Sequence, residues 1–167
     1  MLLTYTSRVL GDTCDSIELP KQIRAVLQKD FAGWKVVTSE LLVSPDDRQL
    51  WAEQYSDECP GIISGHFRGR QIEYVVNLIR GAYSTLEQQI VFFELLRDQF
   101  RKVILSPPSH VGVVTVLRKF EPGLYRSAET DRAVKISFDT IGISEIEGGT
   151  VVLYWDGKRF LHIVTSV

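Results

Sequence analysis

The 167 residues carry a formal charge of −2 at pH 7, with 44% hydrophobic and 24% charged side chains. That balance excludes a disordered or low-complexity chain, and it supplies no positive field for nucleic acid, whose binding rests on many Lys and Arg contacts to phosphate. No apolar run approaches the ~20 residues that cross a bilayer, so membrane insertion is not expected.

A chain of this length is expected to form one domain that buries roughly two thirds of its unfolded surface, enough for a core without metal or disulfide. It divides into a polar N-terminal arm over 1–18, a helical part over 19–60 and a sheet-rich part over 61–167. The first ten residues lack the basic flank and apolar core of a secretory leader. Two locations remain open: cytoplasmic if Met1 is the native start, periplasmic or exported if a leader has been removed.

Cys14 and Cys59 lie in the polar segments Asp12-Thr13-Cys14-Asp15 and Asp57-Glu58-Cys59-Pro60-Gly61, neither of which reads as core. A bond between them would contribute roughly 4 kcal/mol by closing the intervening loop in the unfolded chain. Two free thiols are the alternative, and the residues leave both open.

Past the arm, Ile23, Val26, Leu27 and Phe31 share one face of a helix over 19–31, with Pro20 at its first turn and Gly33 as its stop. Lys35-Val36-Val37 reads as a short strand. Ser44 caps a second helix over 44–55, with Pro45 in the first turn and Asp46 and Asp47 where the helix dipole favours acids. Cys59-Pro60-Gly61 ends that regime.

From Ile62 onward, short apolar runs divided by turn residues predict a β-meander. Strands are expected over 72–79, 100–105, 111–117 and 134–138, with a corner at Ser106-Pro107-Pro108. Residues 86–96 fit either a helix, through Leu86, Ile90 and Phe93, or a buried strand; the hairpin partner beginning at Phe100 favours the strand. Residues 151–155 and 158–164 form a hairpin whose Asp156-Gly157 suits a type I′ turn. The expected fold is therefore α+β, two N-terminal helices packed on a mainly antiparallel β-meander sheet.

The segment from Ile62 to Tyr74 resembles an FG-GAP-like cation loop at Gly65, Phe67 and Gly69. Such loops place acids at alternate positions to supply the oxygen ligands of calcium. Here His66, Arg68 and Arg70 stand where acids belong, and Gln71 also departs. The likeness extends loosely to Tyr154-Trp155-Asp156-Gly157-Lys158-Arg159-Phe160, similar to the closing hairpin of bacterial exported proteins with a single such loop. It implies a compact, often exported binding module and supplies no catalytic residues. A guanidinium about 5 Å from a dication is repelled by several kcal/mol even at an effective dielectric of 20, so no metal is expected at this loop.

Other chemistry is sparse. His66, His110 and His162 have no ligand spacing, and no Gly-x-Ser-x-Gly elbow surrounds any serine. Asp46-Asp47 and Asp57-Glu58 read as a helix start and a solvated turn, and Glu145 and Glu147 as one face of a strand edge. No cofactor is expected. The residue types that anchor interfaces point to another protein as partner, with His66, Arg68, Arg70, Tyr83, Tyr125 and Arg126 as candidate contacts. The expected function is non-catalytic docking of inhibitor or immunity-protein type. The alternatives are an envelope enzyme or enzyme accessory with a dispersed active site, and a calcium-dependent adhesion module.

Overall fold

The computed structural model describes residues 13–165, so the polar arm lies outside the described residues as far as residue 12. The described residues are α+β, with two α-helices and mostly antiparallel strands. Those strands form two sheets and a separate ribbon rather than one continuous meander.

Helix α1 spans Lys21–Asp30. Pro20 sits just before it as the N-cap rather than inside the first turn. Ile23 is fully buried, and Val26, Leu27 and Phe31 join it over the apolar face of the first sheet, against Val76, Leu78, Val91 and Phe93. Helix α2 spans Pro45–Gln54, and the Ser44 hydroxyl accepts from the Asp46 and Asp47 amides. Its Trp51, 2% exposed, fills a second core with Val37, Leu42, Ile79, Val114 and Val116.

The first sheet contains β1 (Lys35–Val36), β2 (Ile62–Gly65), β3 (Glu73–Arg80), β4 (Glu87–Leu96) and β5 (Gln99–His110). Both β1 and β2 pair along one edge of β3, followed by β4 and β5. Residues 86–96 are thus mainly a strand: seven consecutive residues at its centre are buried, and strands buried on both faces lose the period-2 signature. The Ser-Pro-Pro segment does not turn a corner. It lies within β5, an edge strand, where two register shifts take up extra residues and a missing N–H leaves no ladder bond unmade.

The second sheet is ordered β11–β10–β9–β6, from β6 (Val116–Phe120), β9 (Thr140–Ser144), β10 (Thr150–Trp155) and β11 (Phe160–Thr165). A ribbon of β7 (Gly123–Arg126) and β8 (Ala133–Ile136) packs on it through Tyr125, Val134 and Ile136. Between the two sheets lies a shared core of Ile63, Phe67, Val75, Ile90, Phe92, Leu117 and Ile141. Phe92 meets Phe160 edge-on at 5.2 Å across that interior.

Turn chemistry departs from expectation at two hairpins. At 156–159 only Gly157 has positive φ, so the turn is not type I′; the Asp156 carboxylate instead accepts the Lys158 and Arg159 amides at 2.8 Å each. Those amides hold its carboxyl below the ordinary range. The positive φ pair occurs at the β4–β5 turn, in Arg97 (46°) and Asp98 (67°), closed by Leu96↔Gln99. Gln22 on α1 clasps that turn, donating to the Asp98 carbonyl and accepting from the Phe100 amide. Arginine gains nothing from the left-handed region, so the double change Arg97→Asn with Asp98→Gly is expected to add about 1–2 kcal/mol. Thermal unfolding reads this as a rise of roughly 2–8 °C; an unchanged or lower midpoint would show that the turn carries no strain.

Cys14 and Cys59 are bonded, with Cα atoms 4.7 Å apart, and both are buried despite their polar flanks. The bond ties the 3-10 turn Thr13–Ser16 to the entry of β2, beneath α1.

Candidate functional site

The β2–β3 connection, residues 66–72, closes one end of the space between the sheets. Its side chains divide between interior and solvent without strict alternation. Phe67 is fully buried in the inter-sheet core, while His66, Arg70 and Ile72 are exposed. The glycines of this loop have no positive φ, so backbone permissiveness is not what places them. Gly65 is needed for close approach: a Cβ there would stand 2.7 Å from the Asp139 carboxylate, which accepts the His66 amide at 2.7 Å. That contact fixes the base of the loop to the segment between β8 and β9.

Period-2 alternation decides what lies under the tip. Glu73 falls on the same face of β3 as Val75, and Glu94 on the same face of β4 as Ile90 and Phe92, so both acids point into the interior. The register Tyr74↔Phe93 places Glu73 opposite Glu94, and Glu94 opposite Arg101 of β5. Two like charges facing each other across a ladder repel. They are buried besides, at 3% and 2% exposure.

Arg68 resolves this conflict. Its guanidinium folds down from the tip, donating to both Glu73 oxygens and, through Nη1, to Glu94; the Nη2–Glu73 contact is 2.5 Å. Arg101 pairs with the other Glu94 oxygen. The Arg68 guanidinium also lies 5.3 Å from the Phe92 ring centre and 5.4 Å from that of Trp155, the last residue of β10. Burial on its own pulls the guanidinium pKa down, but the hydrogen bonds and charges of Glu73 and Glu94 together hold it above its ordinary value. Arg68 is therefore a permanent cation that bridges two strands of one sheet, β3 and β4, to the closing hairpin of the other.

Above this base lies a hollow of about 300 Å³ lined by Arg68, Gly69, Arg70, Gln71, Glu73 and Trp155. Trp155 is half-buried and braced edge-on by Phe160 at 5.2 Å. Arg70 stands at the rim, exposed, and makes no ion pair or hydrogen bond with the described residues. Nor does the His66 side chain. Among the described residues, no three His, Cys, Asp or Glu side chains converge as a metal would need.

The structure thus gathers His66, Arg68 and Arg70 at one place and gives them different roles. The other candidates lie elsewhere. Tyr83 falls in the turn Tyr83–Thr85, at the far end of β3 from the tip, and its side chain is outside the described part of the structure. Tyr125 packs under the ribbon and donates to the Glu121 carbonyl; burial holds its phenol above the ordinary pKa. Arg126 beside it pairs with Asp131 at 2.9 Å. Glu145 and Glu147 sit in the turn between β9 and β10 rather than on a strand face. Glu73, Glu94 and Trp155 were not recognised from sequence as part of a site. The signal was present, since each acid stands two residues from an apolar side chain of an inward face.

A scan against protein-family models finds no match to the chain, and searches of curated proteins and of solved structures find none either.

Proposed function

We propose that the protein is a non-catalytic docking protein, of inhibitor or immunity-protein type, that engages another protein through the β2–β3 tip and the adjoining Trp155. One observation carries this reading: an exposed Arg70 with no partner among the described residues stands beside a braced tryptophan, over a base whose charges already satisfy one another. Arginine and tryptophan dominate interface energetics because they present large, stiff contact area with few rotatable bonds to freeze. The base supports rigidity rather than turnover. Both carboxylates have guanidinium partners, and the hollow's lining offers no serine, cysteine or histidine. On this reading, the likeness to a cation loop is a scaffold in which arginines took over from acids.

The test is affinity capture from the native host with the wild-type chain beside Arg70→Glu. A protein retained by the first and lost by the second supports the reading. Retention unaffected by the charge reversal, or turnover abolished by a single side-chain change at the hollow, would remove it.

A further inference from the structure

We infer that the hollow between Arg70 and Trp155 takes a single carboxylate, carried by an acidic side chain of the partner protein next to an apolar one that packs on the indole. This rests on the docking reading above and adds the chemistry of what is recognised.

Charge is the first argument. The chain is acidic overall, at −2, yet the residues around the hollow run the other way. Arg68 and Arg70 line it, with Arg101 paired beneath, against the carboxylates of Glu73 and Glu94. Three cations against two anions leave a local positive excess that draws an acidic segment and turns away a basic one.

Availability is the second. Arg68 contributes Nε and both terminal nitrogens to Glu73 and Glu94, so its fork is occupied. Arg101 is held by Glu94. Arg70 alone of the three has no partner for its fork among the described residues, and a planar guanidinium matches a carboxylate through two parallel N–H donors.

Glu73 and Trp155 select the anion. Glu73 lines the same hollow, so a doubly charged phosphate entering it meets a carboxylate and finds, among the lining residues, one guanidinium without an ion pair to the described residues. A singly charged carboxylate matches that one cation. The half-buried indole at the other wall offers apolar area that an aliphatic or aromatic neighbour on the same segment can cover.

The probe is a pair of capped peptides, acetyl-Gly-Glu-Leu-Gly-amide and the same peptide with Gln for Glu, titrated into the isotope-labelled full chain. The indole N–H of Trp155 and the Nε–H of Arg70 are followed by NMR, with inorganic phosphate as a third arm. The expected result is a saturable shift of both signals by the Glu peptide at millimolar concentration. Arg70→Met weakens it about tenfold, the scale of one charge-assisted hydrogen-bonded contact, without altering the melting point. Equal shifts from the Gln peptide, larger shifts from phosphate, or no movement of either signal would overturn the inference. Its failure is separable from failure of docking. A host protein still lost by Arg70→Glu while the peptides give no response leaves docking standing and removes the carboxylate chemistry.

Discussion

Arg68→Ala is expected to destabilise the fold by about 3–5 kcal/mol, although Arg68 lies in a surface loop that reads as a tolerant turn. The size follows from what remains behind. Glu73 and Glu94 are each 3% exposed in their side chains and stand opposite one another across β3 and β4. Without the guanidinium, Glu73 loses its only ionic partner among the described residues, and Glu94 keeps Arg101 alone. Breaking a buried pair from one side costs far more than the pair itself contributes, because an uncompensated charge stays in a poorly hydrated place. The triple change Arg68→Met, Glu73→Gln, Glu94→Gln therefore recovers most of the loss. Urea unfolding checks both, read as the midpoint at unchanged slope. A loss below about 1 kcal/mol for Arg68→Ala would mean that the carboxylates are solvated in the native state, as exposed ion pairs are.

The second large effect belongs to the disulfide. Cys14 and Cys59 are 45 residues apart, and closing a loop of that length in the unfolded chain is worth about 4 kcal/mol in the chain-entropy account. Replacing both by alanine, or reducing the bond, is expected to lower the melting temperature by roughly 8–16 °C for a chain of this size. The loss is local in origin as well. The bond holds the turn Thr13–Ser16 over the core formed by Ile23, Phe31 and Ile62. Melting scans with and without reductant, with thiol titration on the same samples, measure it. Two titratable thiols in the oxidised protein, or an unchanged midpoint after full reduction, would contradict the assignment. A bond of this kind persists in an oxidising environment.

Much of the fold was legible from residue spacing alone. The α1 face of Ile23, Val26, Leu27 and Phe31 and the Ser44 cap of α2 are local signals, and the structure uses both as they read. Signals that depend on neighbouring strands were harder. The apolar run in β4 is ambiguous locally because each face packs against a different layer. Pro107 and Pro108 look like a corner until β5 is known to be an edge. The turn residues misled in both directions: Asp156-Gly157 forms a turn closed by a side chain, while Arg97-Asp98, with no glycine, carries the positive φ pair. The site was half legible. His66, Arg68 and Arg70 attracted notice as a departure from an acidic pattern, but the sequence does not show that Arg68 turns inward and Arg70 outward. That division depends on Glu73 and Glu94 meeting across a ladder whose register becomes visible only in the folded sheet.

Two arginines separated by one glycine have opposite roles, and urea unfolding of Arg68→Gln beside Arg70→Gln tests this most directly. The predicted result is a midpoint far below wild type for the first and unchanged for the second, since of these two arginines Arg68 is the one paired with buried carboxylates. Equal midpoints for the two variants would contradict it, because the inward and outward roles assigned to these side chains would then have no energetic basis.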